Sequence, residues 1–243
     1  MSGYVNHIVV CGYGEGSDML LEALRDEFDI DEQRVVLFGP GDRPRSLDPS
    51  FLWVEGDPTK ESELDKVRLT HASTAILAAS RVVSPQQADA QTILTGFTIR
   101  SYLSRKKTAA LRKRPVHMVA EILESENVQH ARSAGIDEVI ETYKVGYSLL
   151  AHAVIYPGVA DATSNVVLPG AQNLYVGRIP EGISPPIAFD ELSQRIRELT
   201  GVLVIGFRDP ETGEEQVNPL KTEQVQPDME LLYFATEPRL ETL

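Results

Sequence analysis

The chain has little cysteine, few aromatic residues and a deficit of positive charge, and each shortage excludes something. Cys11 is the single cysteine among 243 residues, so no intrachain disulfide can form and a reducing, cytoplasmic setting is the expected one. Lying inside an apolar run with no cationic neighbour to lower its pKa, Cys11 reads as a small buried hydrophobe rather than a reactive thiol. No run of about 18 apolar residues exists, and no basic segment followed by an apolar stretch opens the chain, so neither a membrane span nor a signal peptide is expected. Lysine and arginine number 23 against 36 acids, a formal charge of −13. Most of such a surface repels phosphates, so nucleic acid is not an expected partner.

The chemistry of common enzymes is also missing. Five histidines, at positions 7, 71, 117, 130 and 152, are scattered without metal spacing or a paired acid, and none lies in the last third of the chain. No nucleophile elbow, Cys-x-x-Cys pair or His-Glu-x-x-His motif is found. A dinucleotide-dependent oxidoreductase stays as the rival reading, and it would need a proton donor or acceptor facing the nicotinamide. One basic stretch, Arg105-Lys106-Lys107 with Arg112-Lys113-Arg114, carries no interleaved aromatics. It reads as a solvated loop near a helix C-terminus, with a phosphate or acidic-surface contact as the alternative.

What is present is a glycine-rich turn between a strand and a helix, His7-Ile8-Val9-Val10-Cys11-Gly12-Tyr13-Gly14-Glu15-Gly16-Ser17. This is the layout of a nucleotide-binding βαβ unit, in which Gly12 supplies the tight turn and Gly14 admits a pyrophosphate to the helix N-terminus. The G-x-G-x-x-G fingerprint wants a third glycine at 17; Ser17 stands there and Gly16 falls one residue early.

Beyond this turn, strands alternate with helices as in a doubly wound parallel sheet. Strands are expected at 35–38, 51–54, 74–79, 116–122 and 138–141, and helices at 17–28, 126–134 and from a capping box at Ser84-Pro85-Gln86-Gln87 through Tyr102. In Gly56-Asp57-Pro58-Thr59, Asp57 is expected to cap the next helix with Pro58 in its first turn. The rhythm then changes. An apolar helix at 147–155 ends at Pro157-Gly158. A small α+β lobe follows, with strands at 174–179, 202–207 and 230–235, a helix at 190–199 and turns at 180–182 and 209–213. Over 181–243 there are thirteen acids against five lysines and arginines, so this lobe supplies much of the acidity. The expected architecture is α/β: a Rossmann-like sheet over 1–142, a crossover helix and linker over 143–171, and a C-lobe over 172–243.

Taken in order, His7 to Gly12, Gly56-Asp57-Pro58-Thr59 with Leu64 and Val67, Asp89 to Leu94, Ala120-Glu121, Glu126-Asn127, Ala134 to Ile140 and Ile179-Pro180-Glu181-Gly182 resemble the RCK domain, the cytosolic regulator of potassium conductance, and its close relative the KTN/TrkA module. The resemblance covers nearly the whole chain. It implies a Rossmann N-lobe, a crossover helix (here about 147–156) packing on a second subunit, and a C-lobe for ligand and assembly. It further implies a homodimer built into a ring, expected to be octameric, at the cytoplasmic face of the plasma membrane. The partner it implies is a potassium channel pore, which this gating ring would regulate, or the membrane subunit of a Ktr/Trk-type transporter, on which a freestanding chain would dock.

For ligands, the resemblance implies an adenine nucleotide or NAD held by Gly12, Tyr13, Gly14, Glu15, Asp57 and Ser80, with Arg43 and Arg45 close enough to meet a phosphate or to be simply solvated. The acid that usually ends strand two to hold the ribose is Gly39 here, followed by Pro40 and Gly41, which favours an adenine nucleotide over NAD. Calcium-gated members carry carboxylates at the ends of strands four and five. Here the first position is Ala79 or Ser80, while Glu121 matches one family carboxylate, Leu123 falls on the next and Glu124 lies beside it. Glu121 and Glu124 are the candidate metal residues. Moving parts are expected near 142–146 and at Pro157-Gly158.

Overall fold

The computed structural model describes residues 4–14, 17–27, 33–106, 112, 114–167 and 172–241. The chain divides into two compact units, Met1–Ala151 and His152–Leu243.

The first unit is built on six parallel strands, β1 (Ile8–Cys11), β2 (Val35–Gly39), β3 (Leu52–Glu55), β4 (Thr74–Leu77), β5 (His117–Glu121) and β6 (Glu138–Ile140), in the order β3-β2-β1-β4-β5-β6. β1 and β2 are buried along their whole length, as unbroken apolar runs in the middle of a parallel sheet must be. Their alternating side chains serve two cores. Ile8, Val10, Val35 and Leu37 meet Leu21 and Leu24 of α1 (Ser17–Glu27) on one face. Val9, Cys11, Val36 and Phe38 meet Ile99, Tyr102 and Leu103 of α2 (Pro85–Arg105) on the other. α2 starts where expected: Ser84 Oγ accepts the amide of Gln87 at 3.4 Å, with Pro85 in the first turn.

Several boundaries differ from expectation. Asp57 does not cap a helix. The next helical segment is a 3₁₀ helix, Glu61–Val67, whose N-cap is Lys60, and the Asp57 carboxylate instead closes a local turn by accepting from Thr59 N at 3.0 Å and Thr59 Oγ1 at 2.6 Å. The helix expected at 126–134 is a 3₁₀ turn, Ser125–Asn127, followed by α3 (Val128–Ser133). The helix expected from Tyr147 starts earlier: α4 (Thr142–Ile155) runs through Gly146, so residues 142–146, the expected moving segment, form its opening turn.

α4 runs across the boundary between the units, and none of its residues is buried. Tyr147, Leu150, Val154 and Ile155 are all more than 60% exposed.

In the second unit, β7 (Asn173–Arg178), β9 (Leu203–Arg208), β10 (Glu215–Val217) and β12 (Glu230–Ala235) form an antiparallel sheet in the order β10-β9-β12-β7. Leu192 and Ile196 of α6 (Phe189–Thr200) pack on Val204, Phe207, Leu231 and Tyr233. Sequence periodicity missed three short pieces: α5 (Val159–Val167), β10, and the two-residue pair β8 (Ile187–Ala188) with β11 (Gln224–Val225).

Candidate functional site

The crossover after β1 runs over one face of the sheet and the crossover after β4 over the other, so a cleft opens between the carboxyl ends of these two neighbours. A cavity of about 450 Å³ occupies it, bounded by Cys11, Gly12, Pro40, Asp57, Ser80 and Gln91 among others, a size suited to a small organic ligand. Gly12 has φ +94°, and a β-carbon on it would lie 2.3 Å from the carbonyl oxygen of Ala78. The tight turn therefore exists to let the end of β1 press against the end of β4. Gly14 is different, since a β-carbon there meets nothing within 4 Å. Its amide donates to Ser17 Oγ at 2.8 Å, and Ser17 N returns a bond to Gly14 O at 3.1 Å. The serine that replaces the third glycine of the fingerprint thus closes the turn on itself.

Of the sequence candidates, Gly12, Asp57 and Ser80 line the cavity, and Glu15 lies outside the described residues. Tyr13 does not line it. Its hydroxyl donates to Asp18 at 3.1 Å and its ring stands edge-on to Trp53, centroids 5.9 Å apart; burial and the Asp18 carboxylate raise its phenol above the ordinary range. Arg43 is also turned elsewhere, donating to the carbonyls of Leu47 at 3.2 Å and Asp48 at 3.0 Å. At the end of β2 the Trp53 ring covers the place of a ribose-binding acid, 3.2 Å from where a β-carbon of Gly39 would be. The Thr59 hydroxyl and Lys60, the latter 2.9 Å from Oδ2, hold the Asp57 carboxyl below the ordinary carboxylate range.

Glu121 and Glu124 are not part of a larger cluster of potential metal ligands among the described residues. Among the described residues no three His, Cys, Asp or Glu side chains converge to hold a metal ion, and a hard divalent ion needs several oxygen ligands. Glu121 is occupied within the protein, accepting from Ala79 N at 3.1 Å, from Thr142 Oγ1 at 2.6 Å and from the Arg81 guanidinium. Glu124 Oε1 accepts from Gln86 Nε2 at 3.3 Å.

Two residues that sequence reasoning passed over matter here. Asp89, fully buried on α2, accepts from Leu123 N at 2.9 Å, Glu124 N at 3.0 Å and Asn127 Nδ2 at 2.8 Å, and so fixes the loop after β5. Its signal was legible, an acid on the apolar side of a helix beside Ala88 and Thr92. Arg81, the residue after Ser80, had no such signal.

Three cations of the basic stretch are engaged within the fold. Arg105 pairs with Glu61, Lys106 with Asp65 at 3.0 Å, and Arg112 donates to the carbonyls of Thr70 and Ala72 at 3.0 and 2.6 Å. A second cavity of about 610 Å³ opens on the α1 face of β4, β5 and β6. Leu20, Leu24, Ile76, Val119 and Ile140 make its apolar floor and walls.

Residues 4–130 match the family model of the calcium-activated potassium channel slowpoke-like RCK domain. The chain belongs to this family. The calcium-gated potassium channel TvoK of Thermoplasma volcanium is 23% identical over 159 residues, covering 64% of this RCK chain and 42% of the channel. Probable potassium channel protein 2 of Methanocaldococcus jannaschii is 21% identical over 249 residues, covering 98% of this chain and 66% of that one. The solved human SLO3 gating ring shares the fold at a TM-score of 0.70 and 15% identity, over 96% of this chain and 44% of that chain. This RCK chain therefore spans less than two thirds of each of these relatives. Among its described residues no helix is long and apolar enough to cross a membrane.

Proposed function

We propose that this RCK domain is a non-catalytic sensor: a small cytosolic ligand binds at the strand-end cavity and changes potassium flux through a channel pore joined to the domain. The observation that carries the reading is the 450 Å³ cavity at the β1–β4 switch point, with Gly12, Asp57 and Ser80 in its wall. Both curated relatives compared above bear potassium-channel names. The ligand class we favour is an adenine nucleotide, and NAD is disfavoured because Gly39 and Trp53 stand where a ribose-holding acid would be needed. Calcium gating, named for the Thermoplasma relative, is not transferred, because Glu121 already accepts from Ala79, Arg81 and Thr142.

In this reading 1–142 is the sensing lobe, 143–171 the crossover and 172–243 the assembly lobe. The exposed apolar residues of α4 and the open 610 Å³ groove over β4 to β6 are surfaces for a second copy of the chain, so the working unit is at least a dimer within a ring. A ligand drives such a ring only by binding one arrangement more tightly than another.

The test is calorimetry with ATP, ADP, AMP and NAD on the isolated chain, beside potassium flux from liposomes holding the full-length protein. Saturable adenine-nucleotide binding and nucleotide-dependent flux, both lost in Ser80→Trp, are expected. No binding by any of the four, or flux indifferent to a nucleotide that binds, overturns the reading, and turnover of NADH by the isolated chain would favour an enzyme.

A further inference from the structure

We infer that Arg81 is a positioning residue, which through Glu121 latches the first turn of α4 to the strand end that walls the ligand cavity. Leu77 and Ala78 line both cavities of the first unit, and Ser80 lines the 450 Å³ one while Arg81 lines the other. The segment from the end of β4 to Arg81 is thus the partition between ligand site and groove. On the groove side three donors, two from the loop after β4 and one from the start of α4, converge on one carboxylate. Ala79 N donates to Glu121 Oε2 at 3.1 Å, and the Arg81 guanidinium and Thr142 Oγ1 (2.6 Å) both donate to Oε1.

Thr142 is the first residue of α4, and the Arg81 guanidinium also lies 5.3 Å from the ring centre of Tyr143, the next residue. Glu121 keeps only 17% of its side chain exposed and Arg81 32%, so the pair is partly shielded and water competes for it less than for a surface ion pair. No residue of α4 is fully buried. Its first turn is tied to the first unit by this polar junction, in which an internal guanidinium supplies the positive charge facing Glu121. A ligand that shifts Ala78 to Ser80 moves the Arg81 backbone with it, and the strain passes through Glu121 to Thr142.

The anchor follows from the apo geometry alone, whereas its use in signalling rests on the ligand reading proposed above, and the experiment separates them. Amide hydrogen exchange is followed in the wild-type chain, Arg81→Ala, Arg81→Lys and Glu121→Gln. Without ligand, the amides of 145–150 are expected to exchange at least tenfold faster in Arg81→Ala and Glu121→Gln, with the amides of β4 and β5 unchanged and protection partly restored in Arg81→Lys. Unchanged exchange over 145–150 in both variants, or equal acceleration in β4 and β5, overturns the anchor. With saturating ADP, exchange over 145–150 is expected to change in the wild type and to stay constant in Arg81→Ala while calorimetry still registers ADP binding. An equal ADP response in the two proteins overturns the transmission role, and failure of ADP to bind the wild type counts against the ligand site and leaves the apo result standing.

Discussion

The α-carbon of Gly12 faces the carbonyl oxygen of Ala78 so closely that a β-carbon there would stand 2.3 Å away, whereas one on Gly14 would meet nothing. The two glycines of the glycine-rich turn therefore have separate jobs. Gly12 joins the ends of β1 and β4, and Gly14 leaves space.

Gly12→Ala should accordingly destabilise the fold by at least about 2 kcal/mol, from overpacking on backbone and from φ +94°, while Gly14→Ala stays within about 0.5 kcal/mol. Urea unfolding with an unchanged slope is the measurement. Equal midpoints for the two variants would show that the close approach of β1 to β4 is relaxed at little cost.

Asp89 is the buried acid that holds the loop after β5. Asp89→Ala leaves the amides of Leu123 and Glu124 without their acceptor, a loss of about 2–4 kcal/mol. Its thermal midpoint should fall well below that of Glu126→Ala, an exposed change in the same loop, with Asp89→Asn in between. A midpoint within a degree of wild type would remove Asp89 from its structural role.

His7 sets a pH dependence. Its Nε2 lies 2.8 Å from Val67 O and its Nδ1 is buried with no partner among the described residues. Burial, followed by the charges of Arg68, His71 and Arg112, pushes its pKa below the ordinary 6.5. The folded state resists a proton that the unfolded chain takes up readily, so this contribution to stability is intact above pH 6.5 and declines as the pH falls toward the depressed folded value. Urea midpoints at pH 7.5 and 5.5 should drop more in the wild type than in His7→Gln, and parallel drops would assign the acid sensitivity to other groups.

Cys11 is buried in β1, and burial pushes its thiol up to about 12. It should resist a thiol reagent in the native protein at pH 8 and react in full once unfolded in urea. Rapid labelling of the native chain would mean that β1 opens without global unfolding.

The chain by itself determined the strands, the main helices and the glycine turn, because alternation of apolar residues, a proline after a serine cap and a positive-φ glycine act over a few neighbouring residues. The turn pattern drew attention to Gly12, and the family resemblance to Asp57 and Ser80, all three of which border the 450 Å³ cavity. Local reading could not say that Arg43 turns back on its own loop, that Trp53 covers Gly39, or that Glu121 is held by Arg81 and Thr142, forty and twenty-one residues away along the chain. The Arg43 contact is a loop conformation no motif announces, whereas the other two meetings depend on the order in which the parallel strands are laid side by side, which brings distant residues to one edge of the sheet. Once β4, β5 and the start of α4 share that edge, the Glu121 carboxylate finds a guanidinium and a hydroxyl within hydrogen-bonding reach, partners that no local pattern in the sequence announces.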